Sequence, residues 1–493
     1  MERRDFLKSF GLLSLTAAAP AILGSCQQKA GVSQQHNVLF IAIDDLRPDL
    51  GCYGDPLVHS PNIDRLAREG LRFDKAYCQM AVCGPSRTAV LTGLRPDTSG
   101  VVGFKYFRET GYPDWVTLPQ YFKNEGYQTV GYGKVFDQRN LDPVSWNIER
   151  YPTLKKTKQY ALPENSTGGK ATATERVDVP DTGYNDGVMA EEAMQTMEKN
   201  QDNPFFLAVG FRKPHLPFSA PEKYWQIYDR EDISMPPNPD SPYGAPDEAL
   251  HNWKELRGYE DIPKEGPLTD EKIKQLRHGY YACISYIDAQ VGKLLNKLDE
   301  LGLRENTIVV LWGDHGYHLG EQDLWCKATN YELDTRVPLI ISAPGHTDSG
   351  ANTDALVEYI DLYPTLMDLC GLDGPDGLEG LSLVPLMEDP QRSWKQAAFS
   401  EFYSPPYGPP KVAMGYSVRT DRYRYTEWLD YESWEDDGLD GELIARELYD
   451  HEKDAFEAVN LADQPGYGNT VNKHHNILHS DWDETLPEGF STG

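Results

Sequence analysis

The chain has 493 residues, with 47 Lys and Arg against 77 Asp and Glu, a net charge of −30. That balance excludes a nucleic-acid binder, whose footprint is basic, and a 39% hydrophobic content rich in Trp, Tyr and Phe excludes an intrinsically disordered chain. The length fits one large domain or two of unequal size, and an anionic ligand remains compatible only if cations are concentrated locally.

Residues 1–26 read as a targeting segment outside the fold. Arg3-Arg4-Asp5-Phe6-Leu7-Lys8 looks like a twin-arginine export signal, and the apolar run Gly11 to Leu23 is too short to span a bilayer. Leu23-Gly24-Ser25-Cys26 looks like a lipobox in which Cys26 is lipidated; cleavage after Ser25 without a lipid is the alternative. The expected location is the periplasm or cell surface, with membrane contact only through a lipid on Cys26. Residues 27–35 are a polar tether, 36–394 the main domain and 395–493 a smaller C-terminal subdomain.

Asn37-Val38-Leu39-Phe40-Ile41-Ala42-Ile43 predicts a central strand buried on both faces. It ends in Asp44-Asp45, adjacent carboxylates that repel each other unless a cation sits between them. A helix is expected over Asn62 to Gly70, behind Pro61. Further buried strands are expected at Gln128 to Tyr132, Phe205 to Gly210, Thr307 to Trp312 and Val337 to Ser342. Helices are expected at Glu191 to Asn200 and, with period 3.6, Lys272 to Leu301. Residues 144–183 read as polar surface loops, and the Pro- and Asp-rich stretch 228–268 as an insertion lining an entrance. This alternation predicts an α/β fold with a large, doubly wound, mostly parallel sheet. Beyond Trp394, Gly415 to Thr420 and Tyr423 to Trp428 predict a small antiparallel sheet; the tail after Pro465 has too few apolar residues to assign. The cysteines at 26, 52, 78, 83, 283, 326 and 370 form no metal-type pair, and a Cys52–Cys78 disulfide is left open.

The stretch Cys83-Gly84-Pro85-Ser86-Arg87-Thr88-Ala89-Val90-Leu91-Thr92-Gly93 stands apart. Pro85 suits the first turn of a helix. The turn Ser86 to Leu91 is expected to aim free N–H groups and its dipole at residue 83, with Arg87 adding a fixed cation. The other polar clusters each follow a predicted buried strand: Asp44 and Asp45; Lys134 and Asp137; Lys213 and His215; Asp314 and His315. Strand ends in a doubly wound sheet share one edge, so these groups are expected to converge.

The signature resembles that of the sulfatase family, formylglycine-dependent enzymes of the alkaline-phosphatase-like superfold. Ile43-Asp44-Asp45-Leu46-Arg47-Pro48, Gly133-Lys134-Val135-Phe136, Lys213-Pro214-His215, Asp314-His315-Gly316 and Met414 to Thr420 are similar to its iduronate-2-sulfatase branch. The resemblance implies that a formylglycine-generating enzyme oxidises Cys83 to an aldehyde, before a folded protein is exported. Hydrated, that aldehyde attacks sulfur, and its second hydroxyl lets sulfate leave. The resemblance also implies a Ca²⁺ held by Asp44, Asp45, Asp314, His315 and residue 83. Lys134 and Lys327 would clamp sulfate oxygens, Arg87 would hold the diol, and His215 would protonate the leaving alcohol. Where the branch has a histidine after Gly-Lys-Val-Phe, this chain has Asp137, expected to act as the base in sulfate release. Tyr317, beside His315, is expected to contact the sugar. The implied function is hydrolysis of sulfate esters on a uronic-acid-containing sulfated carbohydrate. The alternatives are a phosphatase or phosphonate hydrolase of the same superfold and an inactive glycan-binding surface lipoprotein.

Overall fold

The computed structural model describes residues 35–492, apart from 104, 140, 150–158, 167–168, 348–349 and 405–411. The export-type segment 1–26, with Cys26, lies outside the described residues. In chain order the strands are β1 (Asn37–Ile43), β2 (Leu71–Tyr77), β3 (Gln128–Gly133), β4 (Ile148–Glu149), β5 (Thr174–Val177), β6 (Phe205–Phe211), β7 (Phe218–Pro221) and β8 (Thr307–Gly313). They continue with β9 (His318–Leu319), β10 (Trp325–Cys326), β11 (Arg336–Ser342), β12 (Ala351–Glu358), β13 (Ala398–Tyr403), β14 (Ala413–Arg419), β15 (Tyr423–Asp430) and β16 (Leu443–Asp450).

Eight strands form the main sheet, in the order β12-β2-β11-β8-β1-β6-β3-β4, and only β11 runs against the rest. Alternate residues of β1 enter two separate cores: Leu39, Ile41 and Ile43 pack under the long helix Asp270–Glu300, while Val38, Phe40 and Ala42 pack on the opposite face. A strand covered on both faces needs apolar residues at every position, which is why β1, β6 and β8 read as unbroken hydrophobic runs. Four antiparallel strands, β13-β14-β15-β16, make the second sheet. It is bonded to the first through Glu401 N–H to the Gln79 carbonyl and Ser400 Oγ to the Cys78 carbonyl, both 2.7 Å.

Several expectations change. β2 was not anticipated. The stretch 144–183 is not all surface loop: β5 pairs with β7, and Ala173, Glu175 and Tyr160 are buried. The tail contains a helix, Gly468–Leu478, that buries Val471, His474 and Leu478. Cys52 and Cys78 are separate thiols. Among the described residues no helix is long and apolar enough to cross a membrane.

Candidate active site

The ends of β8, β1 and β6 are level, because Ile43 pairs with both Phe211 and Gly313, and β3 ends one residue earlier, with Gly133 opposite Gly210. Asp44, Arg212 and Asp314 therefore leave the sheet at one height, with Lys134 one residue short of them. Two glycines let Lys134 cross closely over β6. Gly133 has φ 68°, and a Cβ on Gly210 would lie 2.1 Å from the Lys134 carbonyl carbon. Asp45 adopts φ 59°, a left-handed conformation that Asp tolerates. This turn is fixed by Asp45 N–H donating to Asp314 Oδ1 (2.9 Å) and by the Tyr280 hydroxyl donating to the Asp45 carbonyl (2.7 Å).

Cys83 is the first residue of the helix Cys83–Thr92, every residue of which is buried. The helix thus begins earlier than expected, and the Ser86 N–H is already bonded to the Val82 carbonyl (3.0 Å) rather than free to face residue 83. The Cys83 sulfur lies 3.2 Å from His315 Nε2, whose ring is oriented by Nδ1 against the Gly316 carbonyl (3.0 Å). Arg87 does not reach into open space. Its Nε donates to Asp314 (2.9 Å), one terminal nitrogen to Asp44 (3.3 Å) and the other to the carbonyls of Lys134 and Val135. The side chain is fully buried, and these bonds set the guanidinium against both carboxylates and the backbone that follows β3.

Lys134 Nζ is 2.8 Å from both oxygens of Asp44, and Lys327 Nζ is 3.1 Å from Asp45 Oδ1. Burial alone would raise the Asp44 carboxyl, but Lys134, His215 and Arg87 hold it well below the usual carboxylate range. Burial opposes a charge on His315, yet Asp314, Cys83 and Asp45 hold its pKa up at about 10. Lys327 sits between Cys326 (φ 78°) and Ala328 (φ 86°), strained conformations of the kind that persist at functional sites. His215 donates Nδ1–H to the Leu216 carbonyl (2.7 Å), leaving Nε2 4.0 Å from Asp45 and 3.2 Å from Glu255. Lys213 braces this turn, bonding to the carbonyls of His215 and Pro217, and burial pushes its pKa down to about 8.

These groups open onto a cavity of about 620 Å³. Cys83, Lys134, Asp137, His215 and Lys327 line it, together with His251, Trp253 and Glu255 from the insertion expected at the entrance. Its lining carries six Lys and Arg residues (134, 139, 170, 212, 254 and 327) against two carboxylates, Asp137 and Glu255, with Asp44 and Asp45 paired to Lys134 and Lys327 behind it, so cations are concentrated here on an acidic protein. Sequence reasoning did not single out Glu255, which bridges His215 and Lys327 (2.9 Å). Burial would raise its carboxyl, and Lys327 and His215 hold it well below normal instead. Asp137 accepts from Arg139 Nε at 2.7 Å and lies 4.0 Å from Lys134. Burial opposes its charge, and these two cations keep its pKa below normal. Tyr317 does not face the cavity. It is wholly buried, stacked on Tyr280 with centroids 5.7 Å apart, and its hydroxyl donates to Cys326.

A metal is compatible with this donor set. Single ligand atoms of Asp44, Asp45, Cys83 and His315 lie within 4.8 Å of one another, all buried. Asp44 and Asp45 offer carboxylate oxygens of the kind a hard ion such as calcium takes, beside the His315 nitrogen and the residue-83 side chain. Asp314 stands at the edge of this group, with Oδ1 accepting from the Asp45 and His315 N–H groups and Oδ2 from Arg87.

Comparison with known proteins agrees with this arrangement. The sulfatase family model matches residues 36–372, and the model described as N-sulphoglucosamine sulphohydrolase, C-terminal, matches 320–483. The chain is 34% identical to iduronate 2-sulfatase of Mus musculus over 93% of its own length and 95% of that protein. It is 35% identical to iduronate 2-sulfatase of Homo sapiens, over 89% and 93% of the two chains. A solved structure in complex with its substrate D-glucosamine-2-N,6-O-disulfate superposes with a TM-score of 0.72 at 23% identity, covering 90% of this chain and 97% of that one; at that identity the likeness concerns the fold. With a matching family model over most of the chain and a cysteine signature set among level strand ends, the chain belongs to the sulfatase family and is a sulfuric ester hydrolase.

Proposed function

We propose that this protein hydrolyses sulfate esters on uronic-acid-containing sulfated oligosaccharides, using formylglycine at residue 83 and a calcium ion. The observation that carries this reading is the cavity: Cys83 opens into it among Lys134, Lys327 and His215, under a lining dominated by cations. Similarity to the iduronate 2-sulfatases supports a uronate substrate. The volume falls within the range of about 300–1,000 Å³ typical of small-molecule sites, favouring chain ends or short fragments over a continuous polymer track. A maturating enzyme that oxidises Cys83 is part of the proposal, as are export and a lipid on Cys26.

Formylglycine would supply the attacking hydroxyl, and calcium, held by Asp44, Asp45, His315 and residue 83, would polarise the sulfate. The chain's own residues do the rest. Lys134 and Lys327 neutralise sulfate oxygens from opposite carboxylates. Arg87 fixes Asp44 and Asp314 so that their charges do not drift apart. His215, with Nδ1 tied to a carbonyl, presents Nε2 to the leaving oxygen. Glu255 steadies both His215 and Lys327 before substrate enters.

The test is a panel of sulfated disaccharides, in which a sulfated uronate at the non-reducing end is expected to turn over fastest; activity confined to sulfated hexosamines would overturn the uronate reading. Exhaustive chelation is expected to abolish turnover and lower the unfolding temperature, with calcium restoring both better than zinc. Full activity with metal shown absent would remove calcium from the proposal.

Asp137 gives a third expectation. If its carboxylate serves product release, Asp137→Ala releases one equivalent of desulfated sugar in a burst and then stalls. A slow steady state without a burst would instead assign Asp137 to holding Lys134 and Arg139 in place, the arrangement already present.

A further inference from the structure

We propose that Glu427, His475 and His479 form a second metal site, remote in chemistry from the first, that takes zinc or a similar borderline divalent cation. Glu427 lies on β15, and the histidines lie at the end of the helix Gly468–Leu478, where His479 is the C-cap. Their i,i+4 spacing puts both imidazoles on one side of the helix, with ring centroids 4.2 Å apart. His475 Nδ1 is 2.6 Å from Glu427 Oε1, and His479 Nε2 is 2.8 Å from Oε2. One ligand atom from each residue lies within 4.8 Å of the other two.

Three further observations favour an ion over simple pairing. Two imidazoles and a carboxylate are the donor set of zinc, nickel or copper, unlike the carboxylate-rich centre beside Cys83. The Tyr425 hydroxyl donates to Glu427 Oε1 at 2.6 Å, the kind of outer contact that orients a metal-binding carboxylate. The carbonyl end of the helix adds partial negative charge at His479. A contrasting cluster, Glu332, His451 and Glu457, is already neutralised: Arg419 and Arg424 lie 3.0 and 2.7 Å from Glu332, and Arg424 lies 3.0 Å from Glu457. Glu427, by contrast, has the two histidines as its ionic partners among the described residues. His475 is half exposed, so water can reach the ion and complete its coordination. Binding requires the ligating nitrogens to be free of protons, so the site weakens in acid. The bound ion would staple the terminal helix to the second sheet.

The experiment titrates zinc into the full chain after chelation and calcium saturation, read by calorimetry and by hydrogen exchange of residues 468–478. The wild type is expected to bind one more equivalent than the double variant His475→Ala/His479→Ala, with exchange slowed in that helix only in the wild type. Tyr425→Phe should weaken this equivalent about 10-fold. His475→Gln, a half-exposed change that leaves packing intact, should weaken it further. Turnover of sulfate esters should be the same in every variant. Equal zinc binding by wild type and His475→Gln, or no slowing of exchange in the wild type, would reduce the cluster to carboxylate–histidine ion pairs.

Discussion

Replacing Cys83 with alanine is expected to reduce sulfate-ester turnover by about 10⁴-fold or more, because the position supplies the nucleophile on which the proposed chemistry depends. The variant should remain folded. Cys83 is buried at a helix start where alanine is accommodated, and its hydrogen-bond contact among the described residues is with His315. The companion measurement is peptide mass spectrometry of the active wild type, which should show residue 83 as the aldehyde. Active protein carrying an unmodified thiol would sink the nucleophile assignment. A stable Cys83→Ala protein that still binds the sulfated ligand would separate loss of chemistry from loss of the site.

Asp44→Ala should give the largest loss of stability at the site, about 3–5 kcal/mol, the usual range when one partner of a buried ion pair is removed. The reason lies in its partners. Asp44 neutralises Lys134 and Arg87, and its deletion takes from Lys134 its closest counter-charge, leaving Asp137 at 4.0 Å, and leaves Arg87 with Asp314 alone. Asp44→Asn keeps an acceptor for both and should cost less. Denaturant unfolding of both variants, with and without calcium, checks this ordering. An Asp44→Ala protein as stable as wild type would mean that the two cations find other partners.

The central strands were legible because burial on both faces leaves no polar position to confuse the pattern. β2, with sequence Leu-Arg-Phe-Asp-Lys-Ala-Tyr, was not, since it lies one strand from the sheet edge and leaves Arg72, Asp74 and Lys75 only partly buried. The helix at 468–478 escaped for a related reason: three buried residues suffice to dock it, and the rest are polar. Convergence of the four strand ends followed from topology alone. Tyr317 failed as a substrate contact because nearness in sequence to His315 says nothing about direction; its ring turns inward onto Tyr280. Glu255 was invisible because its partners, His215 and Lys327, come from other loops, and a carboxylate in an acidic insertion carries no local mark.

The small cation-lined cavity on an acidic body has a consequence for kinetics. At physiological ionic strength a charge is felt over about 8 Å, so the cations inside act only on what has already entered. A long polyanion must first approach the negative exterior, whereas a short fragment presents little charge to be repelled. Added salt should therefore speed capture of long chains while weakening the hold on small ones, and the two substrate lengths should respond to ionic strength with opposite signs.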